Sequence, residues 1–172
     1  RSHQDVKRLE TLMGVPAPLA YAESQYTKHP MLDLRIDSQF LAVELLVTEW
    51  AWWDAQNLKS KLERDNAERG RFVALLRGLG HDFIFGGWPD TRQPELLTTA
   101  ADLADENRLL SWLKGFEPGA DWLRLGIWYR GPEDLRLATG RIAGEVMHRF
   151  EQLYPLYEFM LWTPRNNYRK RG

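Results

Sequence analysis

Two alternating apolar runs, separated by a gap too short for anything but a tight turn, constrain this chain most. Met31 to Asp37 (MLDLRID) is followed at once by Phe40 to Thr48 (FLAVELLVT). Strands joined so closely pair antiparallel, because a parallel return needs a crossover of about a dozen residues. A doubly wound nucleotide-binding start is excluded at this point. In the second run Leu41, Val43, Leu45 and Val47 face one way, and Phe40, Ala42, Glu44 and Leu46 the other. Only Glu44 is charged, so the strand reads as covered on both faces.

The remaining elements follow from periodicity. Asp5 to Met13 predicts a short helix with Val6, Leu9 and Met13 on one stripe, stopped by Gly14. Leu58 to Leu79 predicts a single helix with Leu58, Leu62, Phe72, Leu76 and Leu79 on a common side; its charged middle, Lys59 to Arg69, is expected in solvent. His81 to Phe85 reads as a short strand and Gly86 to Asp90 as a turn. Thr98 or Thr99 caps a helix running to Lys114, with Leu103, Leu109, Leu110 and Leu113 inside. Trp122 to Arg130 (WLRLGIWYR) alternates as a strand, with Leu123, Leu125, Ile127 and Tyr129 on one face.

Gly131 to Asp134 has Pro and acidic residues where a helix begins. The stripe Leu135, Ala138, Ile142, Val146, Phe150, Leu153 and Tyr157 continues it, with Pro155 expected to kink it or split off its last turn. The expected fold is therefore α+β: a small, mostly antiparallel sheet starting with a β-hairpin, packed by three to four helices, the last one long. Residues 1–30 form an N-terminal helix and linker, 31–162 a single domain, and 163–172 a basic mobile tail. The opening Arg1, Ser2 and His3, without Met, read as a tag remnant or the start of an excised fragment.

Composition removes several function classes. A net charge of −1 over 172 residues gives no whole-molecule field for DNA or an anionic membrane. The absence of Cys excludes disulfides, thiol nucleophiles and Cys-ligated zinc, and makes a reducing cytoplasm the default compartment. No stretch approaches the roughly 18 uncharged residues of a membrane span. No GxSxG, P-loop or GxGxxG motif is present, and no catalytic or cofactor motif names a reaction.

The four His form neither HxxxH nor HExxH, so no metal site is read from them. A metal-dependent hydrolase or nuclease would draw on Asp33, Asp37 and Glu44, with His29 or His81. A restriction-type nuclease also needs a Lys two residues beyond the second-strand acid, and position 46 is Leu46. The stronger surface candidate is the face of the last strand, where Trp122, Arg124, Trp128 and Arg130 recur at two-residue spacing. Flat rings and guanidinium planes on a strand can stack bases and hold phosphates. The plainer alternative is that the Trp rings are buried and the Arg side chains reach past them to water. Arg169, Lys170 and Arg171 in the tail could add phosphate contacts, or simply be solvated. Trp50, Trp52, Trp53 and Trp88 are expected near one end of the sheet; adjacent Trp52 and Trp53 cannot both face inward, which suits an interface.

The hairpin DLRIDSQFLAVELLV, the helix after it, the strand WLRLGIWY and the helix RIAGEVMHRFEQLYPLYE together resemble a known arrangement. They are similar, over roughly Met31 to Leu161, to a small accessory domain of unknown function in bacterial proteins of restriction and DNA defence. That resemblance implies a non-catalytic α+β module working beside nucleic-acid enzymes, with no catalytic residues and no cofactor to carry over. Three readings stay open: a non-enzymatic binding or interaction domain for nucleic acid or protein, a small metal-dependent hydrolase, and a homo-oligomeric structural protein joined through exposed Trp.

Overall fold

A computed structural model of the chain describes residues 2–13, 28–36, 38, 40–89, 98–130 and 142–169. Helix α1 (His3–Met13) comes first and buries Leu9. The hairpin forms as its spacing requires: β1 (Met31–Ile36) lies antiparallel to β2 (Phe40–Val47), with Ile36 opposite Leu41 and Met31 opposite Leu46. A 3-10 turn (Glu49–Ala51) leads into α2 (Trp52–Arg64) and α3 (Asn66–Leu79). Then follow β3 (Ile84–Pro89), β4 (Thr98–Thr99), α4 (Ala100–Leu103), α5 (Glu106–Gly115), β5 (Asp121–Arg130) and α6 (Ile142–Met160). The sheet has the order β1-β2-β5-β3-β4 and every pairing in it is antiparallel. The α+β class, the opening hairpin and the long last helix are as expected.

The two inner strands form the floor of the core. Leu41, Val43, Leu45 and Val47 of β2 and Leu123, Leu125, Ile127 and Tyr129 of β5 meet Leu58, Leu62, Phe72, Leu76, Leu153 and Phe159 from the helices. Burying each such aliphatic side chain contributes roughly 1.5–3 kcal/mol, so this period-2 face against period-3.6 stripes is what holds the layers together.

Four expectations change. The helix read as continuous from Leu58 to Leu79 is broken at Asp65, whose extended backbone ends α2 and whose carboxylate accepts from Ala67 N and Glu68 N to cap α3. Asp105 likewise accepts from Arg108 N and divides the next helix into α4 and α5, while Thr99 caps α4 as predicted. The described residues therefore hold six helices rather than three or four. The stretch Lys59 to Arg69 is not solvated throughout: Ser60, Lys61, Leu62 and Arg69 are buried. Arg69 donates to Leu62 O (2.8 Å), Asn66 Oδ1 (2.6 Å) and Glu106 Oε1 (2.6 Å), tying the α2–α3 corner to α5.

Third, β3 runs through Gly86, Gly87 and Trp88, which were read as a turn. It pairs with β5 from Ile84 opposite Gly126 to Pro89 opposite Asp121, and a long ready-made partner outweighs glycine's weak strand preference. Fourth, of the two outcomes expected at Pro155 the splitting of the last turn does not occur: α6 continues through Pro155, which lies on its exposed side, with Leu153 and Leu156 in the core on either side. The Gly14 stop, Asp90, the Gly131 helix start, Leu135 and Ala138 lie outside the described residues.

One close approach is specific to sequence. Gly126 of β5 lies opposite Glu44, where an added Cβ would stand 2.5 Å from Glu44 Cβ and 2.6 Å from Val43 O. Both contacts are with β2 itself, so Gly126→Ala must push the two inner strands apart. We expect it to lower the unfolding free energy in urea by about 1–3 kcal/mol. An unchanged denaturation midpoint would show that the strands are not so tightly apposed.

Candidate functional site

Helix α2 carries Asp54, Asn57 and Lys61 at three- and four-residue spacing, hence on one side. All three are buried, at 1%, 0% and 3% exposure. Buried polar groups are costly unless paired, and here the partners come from the end of the chain. Asp54 Oδ1 accepts from Trp162 N at 2.6 Å. Asn57 donates to Asn166 O (3.0 Å) and accepts from Tyr168 N (2.8 Å). Lys61 donates to Asn166 Oδ1 (3.1 Å) and Phe159 O (3.3 Å), and pairs with Glu68 at 3.1 Å. Its ammonium lies 3.5 Å from the Phe159 ring centroid. Burial lowers the Lys61 pKa against the opposing pull of Glu68.

The segment after α6 is thus a strap fastened along α2. Residues 163–169, expected to belong to a mobile tail, are held by six polar contacts with α2, Asp65 and the end of α6: three through Asn57 and Lys61, Tyr168 Oη to Asp65 at 3.4 Å, and Asn166 Nδ2 to Leu161 O and Phe159 O. Lys170 and Arg171 lie outside the described residues.

The strap delivers Arg169 to the start of α2. Its guanidinium lies 3.8 Å from the Trp53 ring centroid and 5.0 Å from that of Trp52. Trp53 meets Trp52 edge-on at 5.3 Å and Trp162 at 6.4 Å. In this cluster Arg169 Nη1, Trp53 Nε1 and Trp162 Nε1 are buried donors with no acceptor among the described residues. Burial lowers the Arg169 pKa. Beside the strap is a polar cavity of about 280 Å³ lined by Lys61, Glu68, Arg71, Glu158, Phe159, Arg165, Asn166 and Tyr168. Arg71 and Arg165 are exposed there. Trp50, one turn before α2, is 60% exposed.

The strand face selected from the sequence is built differently. Trp122, Arg124 and Trp128 do project together, and Arg124 stands 5.5 Å from the Trp128 ring centroid. But Arg124 is spent on Glu44: Nε reaches Oε2 at 2.7 Å and Nη2 bonds Oε1. Arg35 Nη2 reaches the same Oε1 at 2.9 Å, with its guanidinium 5.3 Å from the Phe40 centroid. Glu44 is fully buried between these two cations. Desolvation pushes its carboxyl up to about 7, opposed by Arg35 and assisted by Asp33. Arg130 is opposite Phe40 in the backbone register; its side chain is outside the described residues.

The sequence-selected residues thus fall into two groups: Trp52, Trp53 and Arg169 at the strap, and Trp122, Arg124 and Trp128 on the sheet. Of the acids and histidines of the hydrolase reading, Asp33 and Glu44 lie side by side while His29 and His81 lie elsewhere. His29 lines a separate cavity of about 740 Å³ with Tyr154 and Tyr157, and His81 is exposed. Asp37 is outside the described residues. Among the described residues no group of three or more His, Asp or Glu is placed to hold a metal ion, and no helix is long and apolar enough to cross a membrane. Sequence reasoning missed Asp54, Asn57, Lys61 and Trp162. The only local signal was a polar file at helical spacing beside the apolar Leu58 and Leu62.

Two outcomes are expected. Asn57→Ala removes both tethers at Asn166 and Tyr168, so trypsin should cut after Arg165 in the variant well before it does in the wild type; equal cleavage rates would show that Asn57 does not hold the strap. The Glu44 carboxyl has a folded value above its unfolded 4.5, so the folded chain takes up a proton more readily between pH 4.5 and about 7. Its contribution to stability is complete below 4.5 and is lost as pH rises through about 7. Denaturation midpoints should fall across that window in the wild type and stay flatter in Glu44→Gln, and parallel profiles would contradict this. No known protein-family model matches the chain, and no curated protein is significantly similar to it.

Proposed function

We propose that this chain is a non-enzymatic binding module that takes a nucleic-acid strand at the strap. The observation that carries this is the half-buried Arg169 guanidinium lying against Trp53 and Trp52, a cation beside flat rings of the kind that a phosphate and an unpaired base would meet. Arg165 is exposed on the strap, in a cavity of mixed charge that also holds Arg71, Glu68 and Glu158, and Lys170 and Arg171 follow Arg169 in the chain. Aromatic rings between these cations suit the bases of an unpaired strand.

The sheet face is the weaker surface for this role, because the Arg124 guanidinium is already held by the buried Glu44 carboxyl. The resemblance to accessory domains of bacterial DNA-defence proteins supports a nucleic-acid setting, and a cysteine-free chain is compatible with a reducing cytoplasm.

Anisotropy of labelled single-stranded and duplex DNA and RNA, titrated with the protein at low and high salt, tests this reading. Saturable binding that weakens with salt is expected, strongest for a single strand. Arg169→Ala should weaken it by about tenfold, or ~1.4 kcal/mol, while Arg8→Ala on α1 should leave it unchanged. Absence of salt-sensitive binding, or an Arg169→Ala variant that binds as the wild type does, would overturn it.

A further inference from the structure

β1 forms one outer edge of the sheet, with β2 as its only strand neighbour among the described residues. Natural edges are blunted by charge, Pro or a bulge, because an open ladder of N–H and C=O groups is a template for another strand. Here the edge is regular over Met31–Ile36, and its apolar residues are open: Leu34 is 42% and Ile36 73% exposed. Both share a face with Leu32, the face against which α6 packs.

Helix α6 extends the same open surface. Met147 is 57% and Tyr154 49% exposed. They are seven residues apart and so on one helical side, and Tyr154 lines a cavity together with Leu32 of β1 and Val6 and Glu10 of α1. An open strand edge is thus flanked by an apolar helix side.

The charges on β1 fix what fits there. In an antiparallel ladder centred on Leu34, a second copy of β1 sets Leu34 against Leu34, Leu32 against Ile36, and Asp33 against Arg35 twice. Moving the centre by one residue would oppose Asp33 to Asp33 or Arg35 to Arg35, and like charges directly opposite are destabilising. One register is therefore favoured and its nearest alternatives are penalised. Arg35 can reach the new contact, since its side chain is 41% exposed while Nη2 holds Glu44. We propose that two copies of this chain associate through β1 about a two-fold axis at Leu34, giving a continuous ten-stranded sheet with the exposed α6 side chains flanking the seam. This surface is separate from the strap and from the Trp-mediated contact suggested by the sequence.

Sedimentation equilibrium over a wide concentration range tests it, with far-UV circular dichroism to confirm that each variant folds. The wild type should move from monomer to dimer mass as concentration rises. Leu34→Lys, a change at an exposed position that places two cations on the axis, should weaken the dimer more than tenfold. Asp33→Arg should weaken it similarly, and the exchange Asp33→Arg/Arg35→Asp should recover most of the loss by restoring both cross-strand pairs. A wild type that stays monomeric throughout, a folded Leu34→Lys variant with wild-type association, or a folded exchange variant as weak as Asp33→Arg would each overturn the proposal.

Discussion

Three polar side chains buried in α2 govern the functional architecture. Asp54, Asn57 and Lys61 could not remain inside the protein without partners. Their partners are main-chain and side-chain groups of residues 159–168. The chain's end is therefore fixed by the same interactions that make the helix interior tolerable. Arg169, immediately after Tyr168, is then carried to Trp53 and Trp52 with little freedom to go elsewhere. A basic tail that composition alone would leave in water becomes an oriented surface.

The sheet applies the same residue types to an opposite end. Arg35, Arg124, Phe40 and Trp128 surround a single buried carboxylate, which both guanidinium groups share. Gly126 makes this arrangement compatible with close strand pairing, since any larger residue there would collide with Glu44. At the strap, the buried Asp54 carboxylate holds Trp162 N, and among the described residues no carboxylate is joined to the Arg169 guanidinium.

Much of the frame was legible because it depends on short-range periodicity. The hairpin register, the two faces of β5 and the apolar stripes of α3 and α6 all follow from side chains two or about 3.6 residues apart. The Asp65 break also left a local trace, Asp followed three residues later by Glu68, which is a helix-start pattern; the apolar spacing on both sides of it masked the signal. The burial of Lys61 was not legible, because its partner Asn166 is 105 residues away. The choice between Arg124 as a free cation and as a buried ion pair likewise depended on β2 lying beside β5. Trp52, Trp53 and Arg169 were selected separately, and only the path of the strap brought them together.

The central claim is that the strap, and not the sheet face, receives the anionic strand. Eight tryptophans give each surface its own reporters in the indole N–H region of a nitrogen–proton correlation spectrum. On addition of a short unlabelled single strand, the Trp52 and Trp53 signals should shift most as the strand settles around Arg169, while Trp122 and Trp128 stay in place. Shifts confined to Trp122 and Trp128, or no shift in any indole, would contradict the account.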